Sequence, residues 1–304
     1  MPTPMVSVVI PAYNHERFIG PAIESVLGQT LGDLELIVIN DGSRDRTGEV
    51  ARSFKDPRLT CIDQPNQDAY NALNRGMGLA RGRYIAILNS DDLYLPGRLQ
   101  RLAAECDAGR CDCVFTDVEP IDPEGRPVTD PDYPWNVWHR RNRQFYFDCG
   151  DLYTAFLHGN FMVSTSNLFL RADLARKVGG FSPLRYLHDY DYIFRVMLAA
   201  PGRVRYLDRE RLVRYRLHGG NTLGQGAVLA REQDREVIRK YMLEGLPEQW
   251  RGRAAAGADR LVELERELLR ERARLQAPRP PGVAASARAL AAAARRAVGG
   301  LLRK

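Results

Sequence analysis

Hydrophobic and polar positions alternate between two patterns over the first 120 residues. Short runs rich in β-branched residues predict buried strands, and between them apolar residues recur at helical spacing. The strands are predicted at residues 6–10, 34–39, 59–62, 84–88 and 111–116, and the helices at 18–27, 47–54, 69–80 and 96–106. Because continuous apolar strands separated by helices are typical of parallel sheets covered on both faces, we predict an α/β fold with a doubly wound, mostly parallel, Rossmann-like sheet.

The second half of the chain is less regular. Prolines and glycines recur through residues 118–150 and predict a loop-rich connection there. Beyond it we predict helices at 151–158, 172–177, 187–199 and 228–243, and strands at 167–170, 203–207 and 211–216. A charged helical segment over 246–277 follows, and a Pro-rich linker with a basic amphipathic helix occupies 278–304.

The charge of the protein is concentrated at its end. The formal net charge is +6, and residues 278–304 contain six basic and no acidic residues, so the other 277 residues are neutral overall. This distribution does not favour a nucleic-acid partner, since no basic stripe with interleaved aromatic residues is present. The arginines of 283–304 fall on one helical face, which is typical of a helix on an anionic membrane surface. A frayed tail, or a helix packed on a partner, is the alternative.

Two further patterns bear on assembly and compartment. Leucines at heptad spacing over 259–275 fit a dimerising coil, although Arg272 interrupts the seam and a solvated helix explains them equally well. With 44% hydrophobic residues but no spanning apolar run, no signal peptide and five scattered cysteines, we expect a globular cytoplasmic protein, with peripheral association at the inner face of the membrane through 283–304.

Clusters of polar residues follow the predicted strands. They occupy residues 13–14, 40–43 and 89–92, and residues 188–191 begin a helix. Because ligands bind beyond the carboxyl ends of the strands in such sheets, these clusters are expected to share one crevice. Asp91 and Asp92 are adjacent and would repel each other, so a divalent cation with substrate phosphates would suit them. Capping of the helix near Pro96 is the alternative reading.

Taken together, these blocks resemble the family 2 glycosyltransferases, inverting enzymes of the GT-A type. The resembling blocks are residues 6–14, 25–30, 35–43, 66–67, 72–76, 82–92, 178–181, 188–191 with Arg195, and 215–222. They cover roughly residues 5–225 in the order of the family. The resemblance implies a GT-A fold over 1–245, with a nucleotide-sugar-binding half (1–117) and an acceptor and catalytic-base half (118–245).

The resemblance also implies roles for individual residues. Asp189 corresponds to the base that deprotonates the acceptor hydroxyl. Asp91 and Asp92 correspond to the metal and diphosphate motif, with Asp92 the expected direct ligand of Mn²⁺ or Mg²⁺, and His218 corresponds to a position that reaches the metal in some relatives. The implied nucleotide-sugar-binding residues are Pro11, Tyr13, Asn14, Asp41, Asn71, Asn74, Arg75, Ser90 and Asp91. Arg195 is expected to be structural, and His15 to be an isolated polar residue.

The sequence departs from the family pattern at three places. Asn40 and His188 stand where acidic residues are usual, and Asp68 replaces a glycine. The motif of processive synthases is absent, so we expect one sugar to be transferred per encounter. The expected reaction moves a sugar from a UDP-, dTDP- or GDP-linked donor to a hydroxyl of a glycan or lipid-linked acceptor, in cell-surface polysaccharide or glycolipid assembly.

Two other functions compete with this expectation. A sugar nucleotidyltransferase would share a sheet with a metal-binding carboxylate, but it predicts a glycine-rich basic loop where residues 12–15 stand. A non-catalytic nucleotide-sugar-binding or membrane scaffold protein would tolerate the loss of Asp189.

Overall fold

The computed structural model describes residues 3–219, 236–243 and 251–252, together with the single residues 263 and 270. The chain divides into two compact units, 1–245 and 246–304. The described residues of the second unit are helical. The coil predicted over 259–275 and the basic helix predicted over 278–304 lie outside the described residues, apart from positions 263 and 270. The roles assigned to 1–117, 118–245 and 246–277 stay predictions.

The first unit is built around an eight-stranded mixed sheet. The strands are β1 (Val6–Ala12), β2 (Leu34–Asp41), β3 (Leu59–Gln64), β4 (Tyr84–Ile87), β5 (Leu93–Tyr94), β6 (Cys113–Ile121), β7 (Phe169–Arg171) and β8 (Val204–Arg216). Their spatial order is β3-β2-β1-β4-β7-β6-β8-β5.

Eight helices are described in this unit by their bounds. They are α1 (Ile19–Leu27), α2 (Thr47–Ser53), α3 (Ala69–Leu79), α4 (Arg98–Asp107), α5 (Pro134–Cys149), α6 (Leu152–His158), α7 (Ala172–Val178) and α8 (His188–Ala199). A 3₁₀ turn covers Thr165–Asn167, and residues 236–243 are also helical.

Strands β3, β2, β1 and β4 are parallel to one another, as the prediction of a parallel sheet requires. Side chains of β4 alternate between two buried clusters, with Tyr84 in one and Ile85 in the other, because successive residues of a strand point to opposite faces. Helix α3 lies so close to β1 that a Cβ on Gly76 would stand 2.3 Å from Val9 Cγ1. Both faces of the sheet are therefore covered.

The other half of the sheet is mixed. Strand β7 is antiparallel to β4 and β6, whereas β6 and β8 run parallel with an irregular register near Asp117. The two strands predicted at 203–207 and 211–216 form one strand, β8. The charged stretch between the two predicted strands resembles a turn in sequence. In the structure the residues of β8 on either side of it pair with β6, and Arg214 Nε lies 2.6 Å from Glu119 Oε2.

The expectation of a loop over 118–150 is wrong for much of its length. Strand β6 extends to Ile121, and α5 begins at Pro134 and ends at Cys149. Proline is tolerated in a first helical turn, since its missing N–H would have no partner in the helix. Gly150, with φ 68°, closes the helix by donating its N–H to Tyr146 O.

Candidate active site

Three potential cation ligands meet at the ends of strands. His15 follows β1, Asp91 follows β4, and His218 follows β8. One ligand atom from each lies within 4.8 Å of the others. His218 Nε2 is 3.0 Å from Asp91 Oδ2, and the rings of the two histidines are 5.9 Å apart. The fold thus joins three remote segments into a set of imidazole and carboxylate ligands.

The environment of Asp91 favours its charged form. Burial raises the pKa of the Asp91 carboxyl, but the hydrogen bond with His218 and the two nearby imidazoles outweigh burial and lower that pKa below its ordinary value. His15 is held in place by Ser90, whose Oγ is 2.7 Å from His15 Nδ1. The prediction that His15 is an isolated polar residue is therefore wrong, and its ligand position depends on β1 and β4 being neighbours.

Asp92 has a different environment from Asp91. Its Oδ2 accepts hydrogen bonds from Ser166 Oγ at 2.5 Å and Ser164 Oγ at 3.4 Å, and its Oδ1 accepts one from Arg216 N at 2.9 Å. The side chain is buried, and burial together with the charge of Asp91 raises its pKa well above the ordinary value. Asp92 joins β4 to the end of β8, and Asp91 is the one of the two that belongs to the cluster of potential cation ligands. The direct-ligand role expected for Asp92 stays a prediction.

Asp41 ends β2 as a buried carboxylate with one unused oxygen. Its Oδ1 accepts hydrogen bonds from Gln64 Nε2 at 2.7 Å and Gln67 N at 3.0 Å. Its Oδ2 is buried and lacks a hydrogen-bond partner among the described residues. Since a buried unpaired acceptor is costly, this oxygen is suited to an N–H or O–H of a ligand.

The residues after β1 contact the loop that follows Asp41. Asn14 has a left-handed backbone (φ 52°), which asparagine tolerates, and it donates its N–H to Ser43 Oγ and accepts from Arg44 N. Tyr13 exposes 41% of its surface and so offers a ring face to a ligand. Pro11 lies half-buried within β1.

The residues of α3 that are predicted to bind the nucleotide sugar differ in how available their side chains are to a ligand. Arg75 is exposed and donates to Gln64 Oε1, which connects it to the Asp41 network. Asn71 is partly buried near the start of the helix. Asn74 instead uses its amide on the backbone of Phe181, donating to Phe181 O at 3.0 Å and accepting from Phe181 N at 2.6 Å. It serves to hold the 179–181 turn against α3.

Asp189 lies in the first turn of α8 and is 8% exposed. Its Oδ1 accepts from Tyr190 N at 2.8 Å, and its Oδ2 accepts from Asn160 Nδ2 at 3.2 Å. Burial raises the pKa of Asp189, and His188, the Tyr190 N–H and the Asn160 amide offset only part of that effect. A buried carboxylate with a raised pKa is a stronger proton acceptor than an exposed one.

One short segment, residues 160–166, contacts both Asp189 and Asp92. Asn160 donates to Asp189, and Ser164 and Ser166 donate to Asp92. Asn160 and Ser164 are separated by at most about 14 Å of chain. The two carboxylates are therefore linked through one short segment of chain. Sequence reasoning missed this segment, because it contains no charged residue and has no helical or strand periodicity.

Two neighbours of Asp189 on α8 are structural. Arg195 donates to Asp191 Oδ2 at 2.8 Å and to the carbonyl of Gly180, as expected from sequence. Asp191 also accepts from Tyr241 Oη at 2.7 Å, which ties α8 to the helical residues 236–243.

Residues 7–169 match the sequence profile of glycosyl transferase family 2. The chain belongs to this family. The match covers the strands that carry His15, Asp41, Asp91 and the 160–166 segment, and membership supports a transferase enzyme.

A curated relative and two solved structures extend the comparison. The chain is 34% identical over 174 residues to the uncharacterized glycosyltransferase EpsJ of Bacillus subtilis, covering 49% of this chain and 51% of that protein. TarS of Staphylococcus aureus in complex with UDP-GlcNAc superposes with a TM-score of 0.61 at 19% identity, over 84% of this chain and 71% of TarS. The mannosyltransferase PcManGT of Pyrobaculum calidifontis, in complex with GDP-Man and Mn²⁺, gives 0.59 at 17%, over 96% and 81%.

The sequence relatives and the structural neighbours each support a limited statement about the chain. The chain spans about half to two thirds of the length of the first curated relatives it matches. The structural neighbours show the GT-A fold. Within the part of the chain that the structure describes, no helix is long and apolar enough to span a bilayer.

Proposed function

We propose that this protein is an inverting glycosyltransferase that moves one sugar from a nucleoside-diphosphate donor to a hydroxyl of a glycan or lipid-linked acceptor. The observation that carries the proposal is that the 160–166 segment contacts both Asp189 and Asp92, the residue next to the potential cation ligand Asp91. An in-line displacement at the anomeric carbon needs charge neutralisation on the diphosphate side and a proton acceptor on the acceptor side.

The donor set of His15, Asp91 and His218 fits a divalent cation such as Mn²⁺ or Mg²⁺. Mn²⁺ accepts imidazole as well as carboxylate ligands, whereas Mg²⁺ prefers oxygen, so the two histidines favour Mn²⁺. A bound cation would neutralise the charge on the departing diphosphate. Asp92, already saturated with hydrogen bonds, keeps β4, β8 and the 160–166 segment in register around Asp91.

Asp189 acts as the general base in this proposal. Its raised pKa increases its basicity, while the Tyr190 N–H and the Asn160 amide keep it oriented. The Asn160 Oδ1 is buried and lacks a partner among the described residues, so an acceptor hydroxyl could donate to it or to Asp189.

The nucleotide is proposed to occupy the end of β2. The unused Asp41 Oδ2 would accept an N–H of the base or a ribose hydroxyl, and the exposed ring of Tyr13 would stack on the base. TarS and PcManGT are described with UDP-GlcNAc and GDP-Man. We therefore propose a UDP- or GDP-linked donor, with the dTDP-linked donor as a further candidate.

The test is a panel of UDP-, GDP- and dTDP-sugars, each with Mn²⁺, Mg²⁺ or EDTA, read by thermal stabilisation of the full chain. We expect stabilisation by one nucleotide class, greater with Mn²⁺ than with EDTA. The Asp41→Asn variant should lose this stabilisation, because the asparagine amide would place its own N–H group opposite the N–H or O–H group of the ligand. If no nucleotide sugar stabilises the protein with either cation, the proposed function is wrong.

A further inference from the structure

An aromatic cavity of about 700 Å³ lies beside the cation ligands and has no role in the site described so far. Its walls include the rings of Tyr133, Trp135, Trp138 and Tyr215, and His218 forms part of its lining. Tyr133 and Trp138 expose 40% and 41% of their surfaces. A volume of this size falls within the range of small-molecule sites.

The aromatic wall of the cavity is held in place by ring contacts and a hydrogen bond. Trp135 stacks between His139 at 4.8 Å and Tyr215 at 5.8 Å, with 24° between the ring planes in each pair. His139 is fixed in turn by Asp117, whose Oδ1 is 2.7 Å from His139 Nε2. Because these rings are already ordered, a ligand would lose little side-chain entropy of the protein on binding.

The cavity borders both halves of the proposed reaction. His218, one of the cation ligands, lines one side. Val163 lines another side and belongs to the 160–166 segment that contacts Asp189. A molecule in the cavity would therefore have the proposed leaving-group site and the segment holding the general base as neighbours.

The charge of the cavity distinguishes between possible occupants. Among the described residues that line it, none is lysine or arginine. Of the three arginines of α5, Arg140 donates to Pro131 O, and Arg143 forms an ion pair with Asp117 and donates to Tyr206 Oη. Arg141 is exposed and is not among the lining residues. Among these described lining residues a phosphate would find no lysine or arginine to pair with, whereas the C–H face of a neutral sugar ring can be buried against an indole.

We propose that this cavity is the acceptor subsite and that it binds a neutral sugar ring of a glycan, seated on Trp135 and Trp138. This inference rests on the proposed function and specifies its acceptor class. A lipid-linked acceptor is compatible with this proposal only if its sugar, and not its lipid phosphate, occupies the cavity.

The test is binding of the full chain to a printed array of neutral and charged glycans, with farnesyl phosphate as a separate probe in solution. We expect glycans to bind and the Trp138→Ala variant to bind them about tenfold more weakly, as the loss of one stacking contact predicts. Trp138→Phe should restore much of the binding. Phe147→Ala is the matched control, because Phe147 is an exposed ring of the same helix that does not line the cavity.

The outcomes separate this inference from the proposed function. Absence of glycan binding, glycan binding that Trp138→Ala leaves unchanged, or binding of farnesyl phosphate alone would overturn the acceptor assignment. Thermal stabilisation by UDP or GDP with Mn²⁺ is measured on the same variants and should be preserved in Trp138→Ala. If the wild type lacks that stabilisation the proposed function fails, whereas glycan results alone decide the acceptor subsite.

Discussion

The two halves of the sheet build their parts of the candidate site in different ways. In the parallel half, β3-β2-β1-β4, the polar residues lie at the carboxyl ends of their strands: Asp41 is the last residue of β2, and Asp91 comes shortly after β4. In the mixed half, β7-β6-β8-β5, Asp189 lies on a helix, Asn160 on an irregular segment and Trp138 on α5.

This difference has a physical consequence. Parallel strands bring their carboxyl ends to one edge, so strand order gathers His15, Asp41 and Asp91, and His218 joins them from the end of β8. The proposed acceptor groups are held by side-chain hydrogen bonds between remote segments, such as Asn160 with Asp189. Substitutions in the acceptor half should therefore alter transfer while leaving donor binding intact, and substitutions near β4 should alter donor and cation binding.

The largest effect is expected from Asp189→Asn. Loss of the general base should lower kcat by about a hundredfold or more, because the acceptor hydroxyl would lose its proton acceptor. Stabilisation by donor and Mn²⁺ should stay near the wild-type value. Steady-state transfer assays with the donor identified by the panel measure the first quantity, and thermal shifts measure the second.

Asp191→Asn is the matched control on the same helix. Asp191 pairs with Arg195 and Lys240, so its variant should lose stability instead of turnover per folded molecule. If Asp189→Asn transfers sugar at the wild-type rate, Asp189 is not the general base, and the proposed division of roles between the two halves of the sheet is wrong.

A smaller contrast is expected between the adjacent residues Asp91 and Asp92. Asp91→Asn should weaken Mn²⁺ binding at least about tenfold with little change in the free energy of unfolding, since its carboxylate belongs to the ligand cluster. Asp92→Asn should lower the free energy of unfolding by about 1–3 kcal/mol, because an amide cannot accept from Ser166 and Arg216 N as both carboxylate oxygens do. Manganese titration and urea denaturation separate the two. Equal losses of Mn²⁺ affinity at near-native stability would restore Asp92 as a direct ligand.

The smallest effect concerns the pH dependence of transfer. A base must be deprotonated, and burial raises the pKa of Asp189, so kcat/KM should fall as pH is lowered through a value above that of an ordinary aspartate. The Asn160 amide lowers this pKa, so Asn160→Ala should move the acid limb to higher pH. A pH profile of kcat/KM for both proteins measures the shift, and a limb that moves to lower pH, or stays fixed, argues against contact between this pair in the active enzyme.

Sequence patterns predicted the parallel half closely and the mixed half in part, with α6, β7, α7 and α8 within two residues of the predicted bounds. Up to residue 107 the two-residue strand β5 (Leu93–Tyr94) was not predicted, and the other strands and helices differ from prediction at their ends only, since each is a local apolar run or helical stripe. Helix α5 was missed because prolines and glycines flank it, and β8 was divided in two by its charged centre. Its pairing with β6 depends on residues about ninety positions away.

The sequence by itself determined the family, the α/β sheet and the identity of Asp41, Asp91 and Asp189 as candidates, because strand ends and family motifs are local features of the chain. Tertiary structure decided that His15 joins Asp91 and His218, that Asp92 is saturated by Ser166 and Arg216, and that α5 lines a cavity beside them. These relations depend on which remote segments become neighbours, and that follows from strand order and packing.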